Sequence, residues 1–369
     1  MRKKRTKNIY DKHLTYENIY SMWKIIRKTC NSKERVLNFS LNINTNIMTI
    51  YNQLKTRKYV PDKFKTFVIY EPKARLIMNQ TISDKIINHF ITNYYLLPHL
   101  ENCLIYTNIA TRKGKGGSLG INLLKKYFNI LLKEKKEIYC LKMDVSKYFY
   151  NIDHEILINK IRKKIKDEEV INLIKICIEE CGKDYVNDYI VKMDEKHNLD
   201  IPTYNKGKGL SIGAEASQFL AIFYLNDIDH YIKEDLKCKF YIRYMDDLLI
   251  LDTDLNKLKN VFNSVQDKIK EEKLCLNKKS NIYKCSHSFK FLGYNWKTVN
   301  NKLIVSTSNK TYYKINRNLK NLQKYDPVKY YKSKGSYKGY FDVVSEYIGD
   351  DFKLKTIMHT KKNIRILSL

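Results

Sequence analysis

The chain has 369 residues, 43% of them hydrophobic, which is enough for more than one compact unit. Its 69 Lys and Arg against 39 Asp and Glu give a formal net charge of +30, which points to a polyanionic partner such as nucleic acid. No run of about 18 apolar residues could span a membrane, and the basic start leads into no apolar stretch typical of a signal peptide, so a cytoplasmic location is expected.

Apolar periodicity predicts helices through most of the first half of the chain, with one hairpin between them. The predicted helices cover residues 15–58, 82–100 (ending at Pro98) and 119–134. The hairpin, residues 65–79, consists of a β-rich run, a Glu-Pro-Lys turn and a second apolar run. A polar, glycine-rich loop at 112–117 precedes the last of these helices.

The second half alternates short apolar strands with helices. A buried strand is expected at the start of 137–153, followed by helix over 154–181 and a polar stretch at 182–208. The later predicted elements are a long apolar helix within 209–236, two strands around a polar tip at 240–252, an amphipathic helix at 255–273, short strands at 289–296 and 302–307, and basic, Tyr-rich helical stretches after them. Because there is no regular βαβ repeat, this order predicts an α+β fold.

Three aspartates stand where the surrounding apolar sequence predicts burial. Asp144 ends the run IYCLKM, and Asp246 and Asp247 lie between FYIRYM and LLIL. Unpaired carboxylates at the ends of core strands are costly, so a cation is expected beside them. Two Mg²⁺ ions about 3.5–4 Å apart would suit an in-line displacement at phosphorus. A bare Asp-Asp pair is more often a simple hairpin turn, but the flanking strands and the third acid upstream favour a metal site.

With these residues noted, the sequence resembles a reverse transcriptase over about residues 60–300, with motifs in the family's order. The motifs are EPKARLI (71–77), ATRKGKGGS (110–118), LKMDVSKYFYNIDHEIL (141–157), GLSIGAEASQFLAIFYLNDIDHYI (209–232), YIRYMDDLLIL (241–251), LCLNKKS (274–280) and FKFLGY (289–294). The resemblance implies a right-hand polymerase fold, with fingers, a palm whose antiparallel sheet carries the YMDD hairpin, and a helical thumb. The expected boundaries are an N-terminal helical extension at 1–60, fingers at 61–136, palm at 137–298 with a helical segment at 154–208, and thumb at 299–369.

The resemblance also assigns residues to the metals and the incoming dNTP. Asp144 and Asp246 would bind both metals, with Asp247 as a weaker partner and the backbone carbonyl of Val145 as a further ligand. The residues expected at the dNTP are Lys73 and Arg75 on the triphosphate, Phe149 as a steric gate against a 2′-OH, and Ile212 and Gly213 near the nascent base pair. Core packing of Phe149, and solvated charges at Lys73 and Arg75, remain the alternatives.

Template and primer contacts are expected in three places. The corresponding residues are Arg112, Lys113 and Lys115 in the glycine-rich loop, Ser217 and Gln218 after Gly213, and Phe291, Leu292, Gly293 and Tyr294 in the primer grip. A flexible basic surface loop is the alternative for the first group. In the thumb, one helix face is expected to carry Tyr312, Tyr313, Lys314, Arg317 and Lys320, with an ordinary solvated helix as the alternative.

These features imply an RNA-directed DNA polymerase that uses an RNA template, a DNA or RNA primer, dNTPs and Mg²⁺, with Mn²⁺ as a substitute. Ile212 and Gln218 depart from the commonest motif, Gln-Gly followed by Ser-Pro, and match the form in diversity-generating retroelements. This form implies error-prone copying. The alternatives are a phage-defence or retron-type enzyme, template-independent nucleotide addition, and a non-catalytic RNA-binding scaffold. An accessory protein or structured noncoding RNA from the same locus is a further candidate partner.

Overall fold

The computed structural model describes residues 8–70 and 74–345. Its helices are α1 (Tyr10–His13), α2 (Tyr16–Thr29), α3 (Lys33–Leu41), α4 (Ile43–Lys55), α5 (Ile82–Phe90), α6 (Leu97–Leu100), α7 (Gly117–Leu131), α8 (Tyr148–Asn151), α9 (His154–Arg162), α10 (Glu168–Glu179), α11 (Asp184–His197), α12 (Glu215–Tyr224), α13 (Asn226–His230), α14 (Leu255–Glu271), α15 (Asn309–Tyr325) and α16 (Pro327–Ser345). Short 3-10 or π-helical turns lie at Ile91–Leu96, Glu101–Cys103, Leu132–Glu134, Glu180–Gly182 and Tyr231–Asp235.

The strands are β1 (Lys65–Ile69), β2 (Arg75–Asn79), β3 (Tyr139–Asp144), β4 (Phe240–Tyr244), β5 (Asp247–Asp252), β6 (Asn281–Lys284), β7 (Phe289–Phe291), β8 (Tyr294–Val299) and β9 (Lys302–Ser306). They form a β1-β2 hairpin, a four-stranded sheet in the order β4-β5-β3-β6, and a three-stranded sheet in the order β7-β8-β9. The pairs between these strands are antiparallel. This arrangement confirms the expected α+β class with an antiparallel sheet.

The four-stranded sheet lies between two hydrophobic cores. Successive side chains of a strand point to opposite faces, and β5 is apolar on both. Leu248 and Ile250 therefore join a core with α2, α5 and α12, while Leu249 and Leu251 join another with α7 and β7–β9. Burial on both faces fixes the sheet and the residues at its ends.

The stretch 182–208, which its composition predicted to be polar, contains a helix. The buried face of α11 carries Val186 and Ile190, which lie in a core with Phe64 and Met78 beside the β1-β2 hairpin. Two buried side chains are enough to hold this helix in place, although they are too few to stand out in the sequence.

The prediction that the helix over 82–100 ends at Pro98 is wrong. The chain continues from α5 through a π-helical segment into α6, where Pro98 occupies the first turn. The π-helical turn before Pro98, in which the N–H of Leu97 donates to the carbonyl of Thr92, is the kind of local adjustment by which a helix accommodates a proline. Within the described ranges, no helix is long and apolar enough to cross a membrane.

The N-terminal helices are tied to the rest of the fold through Asp167, a buried residue before α10. One carboxylate oxygen accepts hydrogen bonds from the backbone N–H groups of Ile9 (2.6 Å) and Tyr10 (2.9 Å). The other accepts from Glu169 at 3.1 Å and caps α10. A single carboxylate thus stabilises two helix starts that lie far apart in sequence.

We expect Asp167→Ala to lower the free energy of unfolding by about 3 kcal/mol, since it removes a cap and leaves two further N–H groups without an acceptor. The matched control is Asp254→Ala. Asp254 caps α14 at an exposed position with local contacts only, so its loss should cost about 1 kcal/mol. Urea denaturation measures both, and equal losses would contradict the tie between α1 and α10.

Candidate active site

The pairing of β3 with β5 brings the three predicted aspartates together. Asp144 lies directly opposite Asp247 in the register of the two strands. Asp246 occupies the turn between β4 and β5, and its carbonyl accepts a hydrogen bond of 3.3 Å from the backbone N–H of Val145. Met245, the other residue of this turn, has the left-handed φ of 54° that such a tight connection requires.

The carboxylates are held in an electrostatically unfavourable place. Burial raises the pKa of Asp246 to about 6, and the charges of Asp144 and Asp247 contribute to the rise. Each of these causes penalises the ionised form, whereas a nearby cation would favour it. An all-oxygen donor set of this kind fits a hard divalent ion such as Mg²⁺.

Two neighbouring side chains already contact the aspartates. The ammonium of Lys142 is 3.2 Å from Oδ1 of Asp247, and the amide of Asn277 donates a 3.0 Å hydrogen bond to Oδ2 of Asp144. Among the described residues, no three or more His, Cys, Asp or Glu side chains are arranged as a ready metal-ligand group. The register brings the backbone positions of the three aspartates together, but their side chains do not form a ready ligand group in this structure.

Sequence reasoning did not single out Lys142 or Asn277. A signal for Lys142 was present, because a residue two positions before Asp144 on a strand must share its face. Asn277 lies in the motif LCLNKKS, but no spacing rule connects it with Asp144.

A buried ion pair supports the turn between β4 and β5. Arg243 and Asp229 have fully buried side chains, with 2.6 Å between Nη2 and Oδ2 and 2.7 Å between Nε and Oδ1. The same guanidinium donates to the carbonyls of Met245 (2.9 Å) and Ile222 (2.7 Å). Burial alone would lower the pKa of Arg243, but Asp229 raises it above its ordinary value. Arg243 thus stays charged and holds the residue that precedes Asp246.

The β1-β2 hairpin contacts the loop that carries Ile212 and Gly213. The N–H of Met78 on β2 donates a 3.0 Å hydrogen bond to the carbonyl of Ile212. Gly213 has φ +122°, and a Cβ there would lie 3.1 Å from the carbonyl oxygen of Met78, so both conformation and space require glycine. Arg75 is exposed at the start of β2, and its charge lowers the pKa of Asp246. The hairpin therefore lies near the aspartates.

A family model described as reverse transcriptase (RNA-dependent DNA polymerase) matches residues 63–296, more than half of the chain. The chain belongs to the reverse transcriptase family. Members of this family bind an RNA template and a primer and use divalent metal ions, and the chain has their right-hand polymerase fold.

Among solved structures, this reverse transcriptase is similar to a telomerase from Candida albicans that was solved in complex with a TWJ fragment of telomeric RNA. The two share 12% sequence identity with a TM-score of 0.46, and the match covers 85% of this chain and 61% of that chain. The chain thus spans less than two thirds of that protein. A comparison with curated proteins found no match.

The remaining residues predicted at the dNTP are placed as follows. Phe149 is half-buried with its ring edge-on to Tyr148, and its carbonyl accepts a 2.7 Å hydrogen bond from Leu210, two residues before Ile212. This position is compatible with Phe149 as a steric gate and with Phe149 as a core-packing residue. Lys73 lies outside the described residues.

Two of the three cationic side chains predicted in the glycine-rich loop bind groups of the protein itself. Arg112 pairs with Glu101 at 2.7 Å and donates to the carbonyls of Ile105 and Asn108. Lys115 donates to the carbonyl of Tyr106 and lies 3.6 Å from the centre of its ring. Lys113 is exposed. This geometry supports a role of Arg112 in shaping the loop, and phosphate contacts from the loop stay a prediction.

Ser217 and two of the four residues predicted for the primer grip are buried. The hydroxyl of buried Ser217 lies 3.0 Å from that of Ser211. Phe291 and Tyr294 pair across β7 and β8 and are buried, whereas Leu292 and Gly293 form the two-residue turn between them, both with positive φ. Of the four residues predicted for the primer grip, only Leu292 and Gly293 in this turn lie where a nucleic acid could contact them.

In the range predicted as the thumb, α15 packs on α16 through Ile315 and Leu319. The opposite face exposes four of the five predicted residues, Tyr313, Lys314, Arg317 and Lys320. Tyr312 is half-buried and its ring contacts Phe341. Residues 346–369 of the predicted thumb lie outside the described ranges.

We expect Arg243→Met to reduce stability by about 3–5 kcal/mol, because Asp229 would be left as an unpaired buried charge. The double variant Arg243→Met/Asp229→Leu should recover most of this loss, since neither charge remains. Denaturant unfolding measures the change. Lys270→Met, in an exposed ion pair with Asp267, is the control and should change stability by less than about 1 kcal/mol. A double variant no more stable than Arg243→Met would contradict this account.

Proposed function

We propose that this chain is an RNA-directed DNA polymerase that adds dNTPs to a primer 3′-OH. The observation that carries the proposal is the position of Asp246, half-buried at a strand turn between two further carboxylates, with a pKa raised to about 6. In an RNA-binding scaffold without catalytic activity, three carboxylates at the end of a buried sheet would only destabilise the fold. Membership of the reverse transcriptase family supports the same activity.

In this proposal Asp144, Asp246, Asp247 and the carbonyl of Val145 hold two Mg²⁺ ions, or Mn²⁺ in their place. The metals supply charge stabilisation to the attacking and leaving oxygens at phosphorus. The protein's own part is to orient the carboxylates. Asn277 holds Asp144, and Arg243 fixes the carbonyl next to Asp246. Lys142 offsets the charge of Asp247.

The nucleotide would lie between the fingers hairpin and the palm. Lys73 and Arg75 would contact its triphosphate, and Phe149 would exclude a 2′-OH beneath the sugar. The influence of Arg75 on Asp246 supports this placement. The loop at Ile212 and Gly213, which is bonded to the hairpin through Met78, would close the side of the nascent base pair.

Template and primer would follow the surface around this cleft. We retain Lys113, Gln218 and the turn at Leu292 and Gly293 as contact positions, with the exposed face of α15 on the duplex. The proposed boundaries are the N-terminal extension 1–60, fingers 61–136, palm 137–298 and thumb 299–369. The α1–α4 helices, the β1-β2 hairpin, the four-stranded sheet and α15–α16 lie within these four ranges in turn.

The finer proposal is an error-prone enzyme of a diversity-generating retroelement, with a phage-defence or retron-type enzyme as the alternative. Its support is Ile212, since an apolar side chain offers no hydrogen bond near the base pair. A structured RNA or accessory protein from the same locus would be its partner.

We expect Asp246→Asn to reduce primer extension on an RNA template with Mg²⁺ and dNTPs by about 10³-fold or more, because a metal ligand loses its charge. Asp252→Asn, at the other end of β5 and paired with Lys257, is the matched control and should retain activity. Product sequencing establishes that synthesis follows the template. If the wild-type protein makes no product with its locus RNA and proteins supplied, the polymerase proposal is wrong.

We expect Ile212→Gln to lower the misincorporation frequency by about 10-fold, as one hydrogen bond near the base pair would then discriminate geometry. Ile212→Leu keeps the site apolar and should leave the frequency unchanged. Sequencing of products from a defined template measures both variants. An equal error frequency in all three proteins would remove the support for error-prone copying.

A further inference from the structure

A groove of about 570 Å³ lies between α2 and α3 of the N-terminal helices. Its α2 wall consists of Tyr20, Trp23, Arg27 and Cys30, which are spaced three or four residues apart and so share one face of the helix. From Tyr20 to Cys30 this wall is about 15 Å long. The groove is therefore long enough to hold about three turns of another helix.

The wall opposite α2 is apolar and only partly covered. It includes Val36 and Leu37 of α3 and Ile43 at the start of α4. As described, α3 has no fully buried residue, and Leu37 and Leu41, one turn apart on the same side of the helix, are 61% and 72% exposed. Exposed leucines that adjoin an apolar groove are typical of a protein interaction surface.

The side chains of the groove suit a protein better than a nucleic acid strand. Strands bind through free aromatic faces and cations, whereas Trp23 is buried against Phe39 and the ring of Tyr20 contacts Tyr16. Aliphatic side chains on the opposite wall offer no stacking surface. The carboxylate of Glu34 also lines the groove and would repel a phosphate.

The charges of the groove indicate an acidic partner. Arg27 and Lys33 line it, and within residues 8–70 and 74–345 neither side chain forms an ion pair or a hydrogen bond. Lys24 and Lys28 are exposed on the same helix, α2. Carboxylates beside the apolar face of a docked helix would therefore be attracted here.

This chain does not itself supply such a partner. A second copy would bring a net charge of +30 and the same cations to the contact. Residues 346–369 contain five Lys and Arg against three Asp and Glu, so they are basic as well. Charge complementarity thus favours a separate protein.

We propose that the groove between α2 and α3 docks an amphipathic helix of a separate acidic protein. Its apolar side chains would pack against Leu37 and Leu41, and its carboxylates would pair with Arg27 and Lys33. The groove contains no residue assigned to the candidate active site. The inference therefore goes beyond the polymerase proposal and gives the N-terminal helices a role in recruiting a partner.

The test uses a synthetic peptide of about 18 residues, with Leu at helical spacing on one face and Glu on the other. Its binding to the full-length protein is measured by fluorescence anisotropy at physiological salt, where screening weakens general attraction to a basic surface. The wild-type protein should bind this peptide at least about 10-fold more tightly than a peptide of the same composition in scrambled order.

Variants of the groove separate docking from general charge attraction. Leu37→Glu should weaken peptide binding by about 10-fold with an unchanged melting temperature, because the side chain is mostly exposed. Val60→Glu makes the same kind of change at a 75% exposed position outside the groove, and should bind like the wild type. Arg27→Glu/Lys33→Glu should weaken binding of the Glu peptide and strengthen binding of an analogue with Lys in place of Glu.

Several results would overturn the inference. These are equal binding of the ordered and scrambled peptides, and equal effects of Leu37→Glu and Val60→Glu. Single-stranded RNA that displaces the peptide and needs Arg27 and Lys33 would identify a nucleic acid surface instead. Self-association of the wild-type protein that Leu37→Glu abolishes would identify a second copy as the occupant.

Primer extension distinguishes this inference from the proposed function. Without peptide, Leu37→Glu should extend a primer like the wild type, because the groove lies outside the candidate active site. Sequence-dependent peptide binding by a wild-type protein that makes no DNA would support docking and overturn the polymerase proposal. Normal polymerisation by a protein that does not distinguish the two peptides would do the reverse.

Discussion

The register between β3 and β5 is the constraint on which the site depends, because it sets Asp144 opposite Asp247 and leaves Asp246 at the adjoining turn. Two hydrophobic cores hold this sheet, so the carboxylates cannot move apart without disturbing packed leucines on both faces. Burial is the main cause of the raised pKa of Asp246, and the charges of Asp144 and Asp247 add to it. Lys142 and Asn277 offset part of this negative charge. In the proposed function, divalent metal ions would offset the rest.

Two groups of buried charge near the turn between β4 and β5 have opposite character. Asp229 and Arg243 pair through two hydrogen bonds, the hydroxyl of Tyr241 also donates to Asp229, and the guanidinium also donates to two backbone carbonyls. Such a pair contributes a fixed geometry more than it contributes stability. Among the described residues, no cation pairs with Asp246 in this way, and Arg75 only lowers its pKa. The paired residues Asp229 and Arg243 therefore support the turn, whereas Asp246 belongs to the candidate active site. Neither burial nor charge alone would distinguish these two roles.

The sequence predicted what depends on local pattern. Alternation and turn residues located the hairpin at 65–79, and helical periodicity located α7 and α14. The aspartates were recognisable because acids are rare between apolar runs. It could not predict α11, which is anchored by two side chains, or the internal use of Arg112, because its partner Glu101 is recognisable only in the folded loop. Gln218 was assigned from its motif, yet its surroundings are made by α2 and α5, elements that no motif links to it.

The net charge of +30 is a poor guide to where a polyanion binds. Exposed charges are screened over about 8–10 Å at physiological salt, so they raise the local concentration of nucleic acid without selecting its path. Some cations that composition would count are already used, as Lys115 is by Tyr106. Lys85 differs because burial lowers its pKa and because no carboxylate pairs with it among residues 8–70 and 74–345. The path of a polyanion therefore depends on where individual cations lie in the fold, and the net charge does not give those positions.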